Sequence, residues 1–186
     1  MKNRTLTIVA AGLLALAGTA SAQTPQTSFQ GWYNGAKTGY SQTSGDAVNS
    51  TGSWTLGYEL GYNWQSQGGF VFGLDGYYDY NAATDHDVSG TTGRLSIGSQ
   101  AYGMDTKYGW ASGPVLYYAK VGYGGLSGMG DASGSGSGFH GGLGIEYKFT
   151  PKWSVTGEWL YEAGNTGPAN ASLTNNNFTV GMNYYF

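Results

Sequence analysis

The chain has 186 residues, of which 34 are glycine and 16 are tyrosine, and only 10% are charged, with a formal net charge of −3. About a quarter of the residues in soluble globular domains are charged, so this composition argues against a soluble domain. The mildly acidic net charge gives no support to nucleic-acid binding. The sequence contains no cysteine, which excludes disulfides and thiolate metal sites.

The first 22 residues have the pattern of a secretory signal peptide. Lys2 and Arg4 supply the positive charge, residues 6–17 form an apolar core, and Ala20, Ser21 and Ala22 form a small-residue cleavage site. We predict cleavage after Ala22, so that residues 23–186 form the mature domain. An uncleaved membrane anchor is the alternative, and the short apolar run disfavours it.

Eight segments then alternate large apolar residues with small or polar ones. A period of two is typical of a β-strand with one apolar face and one wet face. The predicted strands are residues 31–42, 52–64, 69–80, a segment between 95 and 110, 115–124, 139–149, 153–161 and 176–186. Leu95 and Ile97 fall on the inward side of the fourth segment, which predicts a β-bulge or a later start there.

The connections alternate in length. Three are tight turns, whereas four are polar loops, predicted at residues 46–51, 81–93, 127–138 and 163–175. The glycine- and serine-rich segment from 127 to 138 is expected to be a flexible loop. This asymmetry is typical of outer-membrane barrels, which have short periplasmic turns and longer extracellular loops.

The apolar strand faces need a cover that the chain itself does not provide. No amphipathic helix follows the strands to form a second layer. The lipid bilayer can cover these faces, and hydrocarbon does not tolerate an unpaired strand edge, so the first and last strands must pair. We therefore predict an all-β fold, an eight-stranded antiparallel transmembrane up-and-down β-barrel in the cell outer membrane of a Gram-negative bacterium, in contact with lipid and lipopolysaccharide.

Aromatic residues concentrate at the two ends of the predicted strands. Side chains with an apolar body and a polar tip prefer the membrane interfaces, where they form two girdles. The tryptophans predicted at the interfaces are Trp32, Trp54, Trp64, Trp110, Trp153 and Trp159.

Motifs along the mature chain resemble the transmembrane domain of the OmpA family. They are WYNGAKTGYSQ at 32–42, LDGYYDY at 74–80, TKYGW with YYAKVGYG at 106–124, GGLGIEYKFTP at 141–151 and VGMNYYF at 180–186. Members of that family usually continue into a peptidoglycan-binding domain, and we expect none in this chain. We predict a monomer.

The last strand also resembles the signal that the bacterial barrel-assembly machinery recognises, which makes that machinery a predicted partner. The residues of this predicted assembly signal are Phe178, Val180, Met182, Tyr184 and Phe186.

Charged side chains on the inward faces are the main candidates for chemistry. The predicted interior charge cluster comprises Lys37, Glu59, Asp75, Lys107, Lys120, Glu146 and Glu158. Asp79, Asp105 and Lys148 are expected nearer the barrel ends. An unpaired buried charge costs several kcal/mol, so these groups must pair or be hydrated.

The resemblance assigns a proposed gate to three of these residues, Asp75, Lys107 and Glu146. The family's arginine in the seventh strand falls at Thr156 here, so Glu146 and Asp75 are expected to share Lys107, with Lys120 or Lys37 as additional partners. A static polar plug that fixes strand register is favoured over a switching gate.

The sequence is compatible with four functions: a structural barrel for envelope integrity, a narrow and weakly conducting pore, an adhesin that binds through its extracellular loops, and a lipid-modifying enzyme. His140 is predicted on the inward face of the sixth strand, near its extracellular end. Ser135 and Ser137 are close in sequence but lie on a glycine- and serine-rich loop that fixes no catalytic geometry. His86 lies between two aspartates and is expected to be a solvated loop residue. We predict a structural barrel, with no enzymatic activity, metal or cofactor.

Overall fold

The computed structural model describes residues 28–45, 48–87, 94–130, 135–166 and 171–186, so the predicted signal peptide lies outside the described residues. These ranges form eight β-strands. The strands are β1 (Gly31–Gly45), β2 (Val48–Gln65), β3 (Phe70–Asp87), β4 (Arg94–Ser112), β5 (Val115–Gly130), β6 (Ser135–Lys148), β7 (Trp153–Thr166) and β8 (Ala171–Tyr185). No helix in the described part of the chain is long and apolar enough to cross a membrane.

The eight strands form a closed barrel in sequence order. Every strand is antiparallel to its neighbour, and β1 pairs with β8 from Tyr33 opposite Tyr185 to Gly45 opposite Leu173. This seam leaves no free sheet edge, which is the condition for a sheet that crosses hydrocarbon. The predicted eight-stranded antiparallel barrel is confirmed.

The predicted strand boundaries match the observed ones at one end of the barrel but not at the other. At the short-turn end, where β2–β3, β4–β5 and β6–β7 connect, the boundaries agree within two residues. At the opposite, long-hairpin end, the predicted loops at 46–51, 81–93, 127–138 and 163–175 were wrong in large part, because β-strand continues to residues 45, 87, 130 and 166 and resumes at 48, 94, 135 and 171.

The physical reason is strand length. The strands have 14–19 residues, whereas a tilted strand crosses the hydrocarbon with about 9–11. Beyond the lipid both faces meet water, so the alternation stops while main-chain pairing continues. The segment from 127 to 138 is therefore largely paired strand rather than a flexible loop.

The irregularity predicted in the fourth strand lies in its partner. β4 begins at Arg94, and the register shift is in β3, where Asn81 pairs with Ser99 and Thr84 pairs with Ile97, the residues on either side of Gly98. Two residues of β3 thus oppose one residue of β4, as in a β-bulge. A Cβ at Gly98 would lie 3.0–3.1 Å from backbone atoms of Ala83 and Asn81, so this close approach favours glycine.

Side chains alternate between the two sides of the wall as predicted. All six tryptophans point outward, with exposed fractions between 38% and 71%. At the short-turn end, ring contacts of 4.7–5.6 Å connect Trp32, Tyr62, Trp64, Phe72 and Tyr108. Toward the long-hairpin end, one register row carries Trp159, Phe178, Tyr40 and Trp54. The outer surface therefore has an aromatic band at each end.

Candidate functional site in the barrel interior

The interior is filled by three successive layers of side chains. At the short-turn end the layer is apolar and aromatic. Its members are Phe29, Tyr33, Val71, Leu116, Tyr118 and Tyr185, with Ala111 packed against them. The charged layer follows, and mainly neutral polar side chains lie toward the long-hairpin end. Phe29 was not among the predicted interior residues, because its only signal in the sequence is a single aromatic residue in the polar segment before Gly31.

Lys120 is the centre of the charged layer. Its side chain is 1% exposed, and its Nζ lies 2.9 Å from Asp75 Oδ2, 3.0 Å from Glu158 Oε2 and 3.2 Å from Glu59 Oε2. Asp105 Oδ2 is 4.0 Å away. These carboxylates come from β3, β7, β2 and β4, so one ammonium on β5 connects five strands across the lumen. We call Lys120 and its four carboxylates the Lys120 hub.

Lys107 has a different environment from the predicted one. Its Nζ donates a hydrogen bond of 2.7 Å to the Tyr33 hydroxyl and lies 4.4 Å and 4.9 Å from the ring centroids of Tyr33 and Tyr118. Among the described residues, no carboxylate lies within ion-pair distance of it. The expectation that Asp75 and Glu146 share Lys107 was therefore wrong, whereas Lys120, the additional partner expected, does pair with Asp75.

The strand register explains this arrangement. Lys107 and Lys120 are direct partners on β4 and β5, and like charges in opposite positions repel. One ammonium therefore takes the carboxylates and the other takes the aromatic rings. Glu146 is held by hydroxyl groups instead: Ser154 and Tyr185 donate to its Oε1 at 2.5 Å and 2.9 Å. Thr156 lies directly opposite Glu146 and is uncharged, so it gives Glu146 no positive partner.

A second charged group lies next to the hub toward the long-hairpin end. Lys37 pairs with Asp79 at 3.1 Å, and its Nζ is 5.2 Å from the Tyr77 ring centroid. His140 Nε2 bonds Asp105, and His140 Nδ1 lies 3.4 Å from the Tyr77 hydroxyl. All seven residues of the predicted interior charge cluster are thus buried in the lumen, together with Asp79, Asp105 and Lys148. The expectation that Asp105 lies nearer a barrel end was wrong, because it pairs directly with Asp75 in the strand register and belongs to the hub.

The predicted position of His140 on the inward face of the sixth strand is confirmed, because it is a buried residue of β6. The loop expected around Ser135 and Ser137 was wrong, since both serines belong to the same strand, where they are exposed. Ser137 contacts the Tyr123 hydroxyl at 2.7 Å on the outside of the wall. Because His140 and the two serines point to opposite sides of the sheet, they do not form a nucleophile and base pair. The side chains of His86 and Asp87 lie outside the described part of the structure.

The third layer consists of neutral polar side chains together with the carboxylate of Glu162. The Ser41 hydroxyl donates to Asn175 at 2.7 Å, and Asn81 connects Thr55 to Ser99 with bonds of 2.5 Å and 2.9 Å. Glu162 accepts from Asn177 at 3.2 Å. Within the residues that the structure describes, no group of three metal-ligating side chains is placed to hold an ion. The chemistry of the lumen is therefore that of paired charges and hydrogen bonds.

Comparison with known proteins gives concordant results. The profile of a family described as "Outer membrane protein beta-barrel domain" matches residues 10–186. The 31 kDa outer-membrane immunogenic protein of Brucella melitensis is 27% identical over 184 residues. The match covers 78% of this chain and 71% of that protein. The same protein of Brucella suis matches equally.

Solved structures share the fold. Neisserial surface protein A matches with a TM-score of 0.60 and 15% identity, over 83% of this chain and 97% of that one. OprG from Pseudomonas aeruginosa matches with a TM-score of 0.58 and 14% identity, over 87% and 99%. At these identities the likeness concerns the barrel architecture alone.

Proposed function

The chain belongs to the family of outer membrane protein β-barrel domains, and from this we propose that it is a structural barrel of the bacterial outer membrane with a closed lumen. The observation that carries the proposal is the Lys120 hub, in which one ammonium ties four carboxylates from four other strands across the interior. Eight-stranded barrels have an interior that side chains can fill, and this one uses paired charges to do so.

We propose that the short-turn end faces the periplasm and the long hairpins face outward, in the usual asymmetry of such barrels. The six tryptophans then lie in the two interfacial girdles and contact lipid and lipopolysaccharide. Phe178, Val180 and Met182 in β8, and Phe186 directly after it, are exposed on the outer face, which supports their proposed role as an assembly signal. Cleavage of the signal peptide after Ala22 and a monomeric state of the barrel in the membrane are part of the same proposal.

Two alternatives are less well supported by the interior. A conducting pore needs a path past the apolar layer and the hub, both of which cross the lumen. A lipid-modifying enzyme needs a nucleophile beside its base, and His140 and the neighbouring serines lie on opposite sides of the wall. The role of a static polar plug, rather than a gate, fits the many partners of Lys120.

A surface-recognition role is a second candidate because paired strands continue well beyond the length needed for lipid. The β3–β4 hairpin is the longest, with 18 and 19 residues in its strands. The Brucella relatives are named as immunogenic outer-membrane proteins. We propose that the projecting hairpins of this chain are likewise accessible from outside the cell, where they can be bound by antibodies or by a host surface.

Deletion of the gene tests the structural role. A strain that lacks the protein is expected to become more sensitive to detergents and to large antibiotics, because a lipid-contacting barrel is missing from the membrane. Uptake of small hydrophilic solutes is expected to stay unchanged, since the lumen is closed. Complementation with the full chain restores resistance. Slower solute uptake with unchanged detergent resistance favours the pore, and loss of surface attachment alone favours the adhesin.

A further inference from the structure

Three residues before β1 close the short-turn mouth of the barrel without belonging to its wall. Ser28, Phe29 and Gln30 precede the strand, and Phe29 is 0% exposed. Its ring meets the Tyr185 ring edge-on, with centroids 6.4 Å apart. A residue from outside the sheet therefore completes the apolar layer that fills this mouth.

A backbone turn at Gly31 brings these residues inward. Gly31 has φ of +122°, a value that L-residues with a side chain rarely adopt. A Cβ at this position would have no atom within 4 Å, so space does not require glycine there. The requirement comes from the backbone, which leaves the barrel wall at Gly31 and directs Phe29 into the lumen.

Few contacts hold the segment in place. The Phe29 amide donates to Gln65 Oε1 at 2.6 Å, and Lys148 Nζ donates to the Ser28 carbonyl at 2.6 Å. The same ammonium lies 3.4 Å from the centroid of the Tyr185 ring and 5.3 Å from that of Phe29. These are side-chain contacts, whereas the pairing of β1 with β2 begins at Gly31 and its pairing with β8 begins at Tyr33.

We propose that residues 28–30 are a separable plug that closes the periplasmic mouth. The Phe29 ring fills the mouth, and Lys148 holds the segment in place through the Ser28 carbonyl. The wall hydrogen bonds start after the plug, so the barrel forms without it. Displacement of the plug opens the apolar layer to periplasmic water and leaves the Lys120 hub in place. The mouth and the hub are thus two independent closures of one lumen.

A single introduced thiol tests the plug, because the chain has no cysteine of its own. Val71 is fully buried in the same apolar layer as Phe29, which makes Val71→Cys the reporter. In folded protein, a small water-soluble thiol reagent is expected to label this reporter slowly. Adding Phe29→Ala is expected to accelerate labelling at least about tenfold, since removal of a buried ring opens the layer. Lys148→Met is expected to give a smaller acceleration.

Phe149→Ala is the matched control, because Phe149 lies at the same end but is 49% exposed on the outside. It is expected to leave the labelling rate of Val71→Cys unchanged. Heat-modifiable gel mobility, the shift of a folded barrel on boiling, is checked for each variant. Equal labelling with and without Phe29 overturns the proposal, and so does loss of the folded barrel in Phe29→Ala, since the segment is then part of the wall.

Current measured across a planar bilayer tests the plug separately from the closed lumen of the proposed structural barrel. Phe29→Ala is expected to conduct no more than the unaltered protein, because the hub still crosses the lumen. Faster labelling without current supports two independent closures. Faster labelling with new current shows that the plug was the only barrier, which contradicts the independence of the hub.

Discussion

Lys120→Met is expected to lower the free energy of unfolding by about 3–5 kcal/mol, the usual cost of removing one partner from a buried ion pair. Methionine retains most of the side-chain volume but removes the charge that Asp75, Glu158 and Glu59 contact at 2.9–3.2 Å. Their negative charges then face one another in the lumen. Urea unfolding from lipid vesicles, followed by tryptophan fluorescence, measures the loss.

Two lysines provide controls for this variant. Lys107→Met removes a buried ammonium that contacts the Tyr33 hydroxyl and two aromatic rings, so a smaller loss is expected. Lys152 is exposed, with the Tyr184 hydroxyl 3.3 Å away, and its substitution by methionine is expected to have almost no effect. Equal losses for Lys120→Met and Lys107→Met contradict the assignment of the hub to Lys120.

Neutralising carboxylates of the hub tests whether the loss of stability in Lys120→Met comes from unpaired charge. Adding Asp75→Asn and Glu158→Gln to Lys120→Met removes two of the charges left without their cation. Part of the lost stability is therefore expected to return, although each carboxylate substitution alone is expected to destabilise the protein. The sign of this interaction energy identifies charge pairing, rather than packing, as the reason for the effect.

Gly39→Ala is expected to disrupt the β1–β8 seam and to lower the free energy of unfolding by about 3 kcal/mol or more, above the usual range for overpacking. A Cβ at Gly39 would overlap the Phe178 carbonyl oxygen and lie 2.7 Å from Thr179 Cα. These are backbone atoms of the partner strand and cannot move aside like the end of a flexible side chain. The yield of heat-modifiable protein after refolding measures the effect.

Gly76→Ala is the matched control for the seam. Its Cβ would meet only the Gly103 carbonyl oxygen, at an ordinary 3.7 Å. Because alanine restricts the unfolded chain more than glycine does, this variant is expected to be neutral or slightly stabilised. If Gly39→Ala refolds as well as Gly76→Ala, β1 and β8 are not packed as closely as the register indicates.

The membrane-crossing part of the fold was predictable because lipid and lumen impose opposite preferences on alternate residues. The second strand shows this most clearly, since Trp54, Leu56 and Tyr58 all proved to face outward. The same signal ends where water lies on both sides. It therefore missed the continuation of β3 to Asp87 and the start of β4 at Arg94.

The sequence was sufficient to predict which charged residues face the lumen, but not which of them form ion pairs. Alternation places Lys107 and Lys120 on the inward faces, yet it contains no information on which ammonium meets which carboxylate. That choice depends on their register as direct neighbours, which only the assembled sheet defines. Phe29 was missed for a different reason: it precedes the alternating pattern, and its burial depends on the backbone turn at Gly31.

Single-channel recording in planar bilayers tests the closed lumen most directly. Purified, heat-modifiable protein is expected to insert without producing discrete current steps, because the apolar layer and the Lys120 hub both cross the interior. Regular, long-lived steps at low voltage, still present after contaminating porins have been removed, would contradict a closed structural barrel and show instead that this chain forms a pore.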